Sequence, residues 1–154
     1  MTELSILEDS LKKKKDILAA IKEENEKQES ALKEEPASFD DFEASVDKKS
    51  TLIEELMHLD EGFESVYERI RDKLLAERDS YRAKVTALKT LISEVTELSV
   101  GIQAQEVRNK ALVEKVLKQS REGLQADRIR AKSTYDFMNR VSLDTPARFM
   151  DTKK

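Results

Sequence analysis

From Phe39 to Val116 the chain keeps one three-four spacing, and no proline interrupts it. The positions are Phe39, Phe42, Val46, Lys49, Ile53, Leu56, Asp60, Phe63, Tyr67, Ile70, Leu74, Glu77, Tyr81, Lys84, Leu88, Leu91, Val95, Leu98, Ile102, Gln105, Asn109, Leu112 and Val116. Seventeen of these 23 positions are apolar and six are polar. Such a period lays every member along one face of an α-helix, whereas a strand would need strict alternation. With only three glycines and two prolines, a fold of many short strands and tight turns is out of reach. The charged fraction of 39% suits long helices whose outer faces are wet.

The same spacing organises the first 35 residues. Leu4, Leu7, Leu11, Leu18, Ile21 and Leu32 lie on one stripe, with Lys14, Asn25 and Gln28 filling its remaining positions. Thr2, or Ser5 with Glu8 in a capping box, can start this helix. Pro36 disfavours helix at Glu35 and ends it there. Ser38 restarts the helix by capping the N–H of Asp41, and Asp40, Asp41 and Glu43 complement the positive end of its dipole. An unbroken helix from there to Val116 would be about 110 Å long at ~1.5 Å per residue, with nothing of its own to bury against. The stripe is polar at Glu77 and Lys84, and Asp79 or Ser80 can cap a new helix, so a reversal is expected between Leu75 and Lys84. Helices over about 3–35, 38–77 and 80–140 follow, with short connections that make neighbours antiparallel. The expected fold class is all-α, an elongated antiparallel bundle of about three long helices with coiled-coil-like packing. A helical domain over 1–142 and a mobile C-terminal tail over 143–154 are expected, with the tail starting near Asp144-Thr145-Pro146.

Chemistry has little to work with. His58 is the only histidine, so any nucleophile–histidine pair must use it. Gly62, Gly101 and Gly123 are too scattered to cradle a phosphate. The carboxylates come in helical runs, such as Glu23-Glu24 and Glu34-Glu35, that a solvated face explains. The chain has no cysteine, hence no disulfide framework and no thiolate metal site. Its formal charge of −4 opposes the phosphate attraction on which nucleic-acid binders depend. Met1-Thr2-Glu3 opens no signal peptide, and no run approaches the ~18 apolar residues of a membrane helix. The expectations are therefore no enzymatic activity, no cofactor, no nucleic-acid partner and no membrane insertion.

Several residues invite a sharper reading. Glu55 and His58 have the Glu-x-x-His spacing of di-iron bundles, but such a site needs a second motif and further carboxylates, so a metal site is expected to be absent. The basic run Lys12 to Lys15 points around a helix, and Lys14, on the stripe, is expected to keep its ammonium in water. Phe39, Phe42, Phe63, Tyr67 and Tyr81 share one stripe and read as core. Asp60, Gln105 and Asn109 are polar on that stripe. Such residues can fix register between helices, and Gln105 and Asn109 equally mark a place where the stripe can leave the core for a partner. From Lys118 onward nine basic residues face five acidic ones, so that segment carries +4 and residues 1–117 carry −8. Within it, Tyr135, Phe137, Met138, Phe149 and Met150 gather the soft apolar groups that suit adaptable helix binding, or a last turn folded onto the bundle.

Two stretches carry a family resemblance. Leu52-Ile53-Glu54-Glu55-Leu56 through Leu59-Asp60-Glu61-Gly62-Phe63 resembles the second-helix segment of flagellar export chaperones of the FlgN type. Ile102-Gln103-Ala104-Gln105-Glu106-Val107-Arg108-Asn109-Lys110-Ala111-Leu112 resembles their third-helix segment, and its Gln-x-x-Arg-Asn-Lys core is more than heptads require. The resemblance covers about Leu4 to Leu117. It implies a cytoplasmic, non-enzymatic chaperone of type III secretion in flagellum biogenesis. Its clients would be hook–filament junction proteins, held by their C-terminal helical segments before export. Export-apparatus components and a second copy of the chain are the further partners it leaves open. Carried over residue by residue, it puts client contact at Gln105, Asn109, Leu112 and Val116. Helical spacing extends that surface to Tyr135 and Met138. The rival reading is a self-associating coiled-coil scaffold that uses the 39–116 stripe as one continuous dimer seam.

Overall fold

The computed structural model describes residues 2–119. They form three helices: α1 over Thr2–Lys33, α2 over Phe39–Ala76 and α3 over Arg82–Lys118. The 38 residues of α2 make a rod roughly 57 Å long at ~1.5 Å per residue. Polar contacts fix the directions. Lys14 meets Asp60, and Ser45 meets the carbonyl of Glu24, so α1 and α2 are antiparallel. Asn25 meets Gln105 and Lys15 meets Glu94, so α3 runs parallel to α1. The backbone of α1 lies close along both α2 and α3, whereas α2 and α3 reach each other mainly through side chains. The all-α, three-helix antiparallel architecture expected from the spacing is the one observed.

The reversal falls where the stripe turns polar. Of the 23 stripe positions, only Glu77 and Lys84 are exposed, and the others are buried or half-buried. Residues 77–81 join α2 to α3, with the Ser80 N–H donating to the Glu77 carbonyl at 3.1 Å. The capping there differs from expectation. Tyr81 precedes α3 and gives no side-chain cap bond, while Asp79 pairs with the Arg82 guanidinium at 2.9 Å instead. At the other turn Ser38 does cap α2, its Oγ accepting from the Asp41 N–H at 3.4 Å. The Ser38 N–H donates back to the Ala31 carbonyl at 2.9 Å, closing the connection around a cis Glu35–Pro36 peptide. α1 begins at Thr2, so Ser5 and Glu8 lie inside the helix and form no capping box.

Three apolar clusters succeed one another along the bundle. The first joins Leu4, Leu7 and Leu11 of α1 to Phe63, Tyr67, Ile70 and Leu74 of α2 and to Leu88 and Ile92 of α3. The Phe63 and Tyr67 rings stack with centroids 6.5 Å apart. The second holds Leu18, Ile21, Ile53, Leu56, Val95 and Ile102. The third holds Ala31, Leu32, Phe42, Val46 and Val113. Each fully buried Leu, Ile or Phe contributes on the order of 1.5–3 kcal/mol against exposure, which is what offsets the ordering of so long a chain.

The stripe is wider on α3 than two positions per heptad. Its deepest row is Leu88, Ile92, Val95, Ser99, Ile102, Glu106, Asn109 and Val113, while Leu91, Leu98, Leu112 and Val116 sit half-buried beside it. A helix in a globular bundle buries a broad face rather than the narrow seam of a two-stranded coil. Because the 39–116 stripe folds back on α1, it is spent inside one chain and is not a continuous seam for a second. The expected extension of the third helix towards residue 140, the 143–154 tail, and Tyr135 and Met138 lie outside the described residues.

Candidate functional site

Between the second and third clusters the core turns polar. The layer is built from all three helices: Glu24, Asn25 and Gln28 of α1, Ser45 and Lys49 of α2, and Gln105, Glu106 and Asn109 of α3, every one buried. They occupy this level because polar residues stand where the apolar period would otherwise continue. Lys49 and Glu106 form an ion pair, each side chain under 5% exposed. Lys49 also donates to Gln28 Oε1 at 3.5 Å. Asn25 Nδ2 donates to Gln105 Oε1 at 3.2 Å, and Gln105 Nε2 to the Lys22 carbonyl at 3.4 Å. Asn109 Nδ2 donates to the Asn25 carbonyl at 3.0 Å and to Gln28 Oε1 at 3.4 Å. Ser45 Oγ donates to the Glu24 carbonyl at 2.8 Å. Asn25 Oδ1, Gln28 Nε2 and Asn109 Oδ1 meet no partner in the described protein. Polar groups at this depth bond well in one alignment of the three helices, so the layer serves register.

Gln105 and Asn109 therefore sit inside the bundle, bonded to α1. Of the two sequence readings, register between helices is the one their geometry serves. A second polar contact lies nearer the other end. Lys14, expected in water, is buried at 3% exposure and donates to Asp60 at 2.7 Å across α1 and α2. Its stem is too deep in the interface for the ammonium to reach solvent, so a carboxylate comes to it. Burial pushes the Asp60 carboxyl above its ordinary range, and Lys14 pulls it partly back.

Past the polar layer, the third cluster ends in a partly covered rim of Phe39, Leu112, Val116 and Leu117. Leu112 and Val116 thus lie beside the buried Val113, where a side chain could close over them. Glu55 and His58 are exposed on α2, beside a shallow groove shared with Lys13, Asp16 and Ile17. Among the described residues no cluster of three or more His, Asp or Glu is placed to hold a metal ion. No helix among them is long and apolar enough to cross a membrane.

The structure also brings out residues that the stripe does not contain. Val100 and Val107 are 59% and 69% exposed on the outer face of α3. With Ala104 and Ala111 they make a second apolar register, and the spacing was there to be read in the sequence.

A helical bundle with a polar lock and an apolar rim suits holding another helix. A family model described as FlgN protein matches residues 1–136. The chain belongs to the FlgN family. Comparisons with curated proteins and with solved structures return no match. FlgN-type proteins are flagellar export chaperones, and membership places this chain in flagellum assembly and type III export. The match extends past α3 to take in Tyr135, while Met138 falls just beyond it.

Proposed function

We propose that this FlgN-family chain is a cytoplasmic, non-enzymatic chaperone that holds hook–filament junction subunits by their C-terminal helical segments until export. The client helix lies on the rim formed by Leu112 and Val116. Gln105 and Asn109 act from beneath, by fixing the height of α3 against α1. Tyr135 and Met138 continue the surface in this reading, on sequence spacing alone. Handover to export-apparatus components follows from the same role.

The observation that supports this site is the third cluster. Among the described residues, Leu112 and Val116 pack against it while staying half-buried. A client segment whose apolar stripe awaits assembly can bury it there by helix-in-groove packing. The scaffold reading lacks its seam, since the 39–116 stripe is already used within the chain.

The double variant Leu112→Asp/Val116→Asp tests the proposal. Helicity and melting are expected to change little, because both side chains sit at the rim. Affinity for a junction-protein C-terminal segment is expected to fall by about 2–4 kcal/mol, as when central anchors are lost. Unchanged binding would move the client elsewhere. A collapsed melt would make the two residues core and end the case for this surface.

A further inference from the structure

We infer that the outer face of α3 is a weak self-association surface on which a second copy of the chain docks antiparallel. The face is the row Ser93, Glu97, Val100, Ala104, Val107 and Ala111, spaced four-three-four-three-four and exposed throughout. It lies opposite the buried row of Val95, Ile102 and Asn109, so the other described helices leave it uncovered. Val100 and Val107 are the most exposed of the large apolar side chains among the described residues. Gly101, on the flank, has open space where a Cβ would stand, so a neighbouring helix can come close.

Charge and size choose the occupant. Rotated about a two-fold axis near residue 102, the row falls on itself. Ser93 then faces Ala111, Glu97 faces Val107 and Val100 faces Ala104. Each valine meets a smaller residue or the stem of Glu97, so the helices interdigitate. Glu97 comes beside Arg108 of the second copy, and the pair forms twice. Among the described residues neither Glu97 nor Arg108 has an ion-pair partner within 4 Å, although Arg108 is close enough to help lower the Glu29 carboxyl of α1. A parallel arrangement would instead set Glu97 against Glu97 and Arg108 against Arg108, which is repulsive. Two valines and two alanines per copy bury little area, so the dimer forms only at high concentration. This face is separate from the rim assigned to the client.

Sedimentation velocity of the full chain over a broad concentration series tests the inference. A shift from monomer to dimer is expected towards near-millimolar protein. Val107→Glu is expected to weaken the dimer at least tenfold with an unchanged melting curve, since Val107 is exposed. Glu97→Arg and Arg108→Glu are each expected to weaken it severalfold, and the double swap Glu97→Arg/Arg108→Glu to restore it. Only the antiparallel pairing gives that rescue. A monomer at every concentration would overturn the inference, as would single swaps without effect or a double swap without rescue. Loss of client capture by Val107→Glu in a chain that stays monomeric would assign the face to the client instead.

Discussion

Lys14 shows how one side chain can be read correctly in position and wrongly in state. The three-four spacing puts it on the stripe, but whether its ammonium stays wet depends on what stands opposite, and Asp60 is 46 residues away. No local pattern encodes that pairing. The raised Asp60 carboxyl has a definite consequence. The native state holds that proton more tightly than the unfolded chain. Stability contributed by protonation is therefore lost as pH rises from the ordinary aspartate range through the raised native value. Urea midpoints across that window are expected to fall in the wild type relative to Asp60→Asn. At neutral pH, Lys14→Met is expected to cost about 3 kcal/mol by leaving a carboxylate without its partner, whereas Lys14→Met with Asp60→Leu is expected to be close to neutral. A double variant as unstable as the single would show that the pair itself contributes to stability. Gln105 and Asn109 teach the same lesson, since both readings of a polar residue on a stripe are legible and only the facing helix chooses between them.

Helix boundaries were the more legible level. Pro36, Ser38 and the polar step from Glu77 to Lys84 mark both turns, and the helices stop within a few residues of those marks. What could not be read is which residue closes each end. Asp79 has the chemistry to cap α3, yet it pairs with Arg82, an alternative open to any acidic residue three positions before an arginine. The one-residue shift of alternate members of the deepest row on α3, from Leu91 to Ile92 and from Leu98 to Ser99, was hidden for a related reason. A period identifies the apolar face but not its centre, which is set by two neighbouring helices at once. The one side-chain cap at a turn offers a clean test. Ser38→Ala is expected to lower stability by about 0.5–1 kcal/mol, the low part of the usual range because the bond is long at 3.4 Å. Denaturant titration of the variant checks this, with the protection of the Asp41 amide from exchange as a local readout. Unchanged protection of that amide in the variant would show that the hydroxyl is not its cap.

The whole molecule is organised around its first helix. α2 and α3 each lie along α1, and the polar layer keys all three at one height. Labels at the exposed residues Glu54 and Ala104 would stand about 75 Å apart on a single helix by rise alone. Pulsed dipolar spectroscopy is expected to find them no further apart than about 30 Å, since Ile53 and Ile102 share one cluster and packed axes lie ~8–10 Å apart. A distance near the longer value within one chain would remove the bundle. The central place of α1 also bears on how the protein is made. α1 leaves the ribosome before the two helices that pack on it, so α2 finds it waiting. α3 arrives dozens of residues later, so one side of α1 must stand in water for the interval. That side carries Asn25, and Gln28 at its seam with α2, in place of two more aliphatics. The polar lock of the finished bundle is thus also what keeps the nascent hairpin from offering an unbroken oily strip to the wrong neighbour.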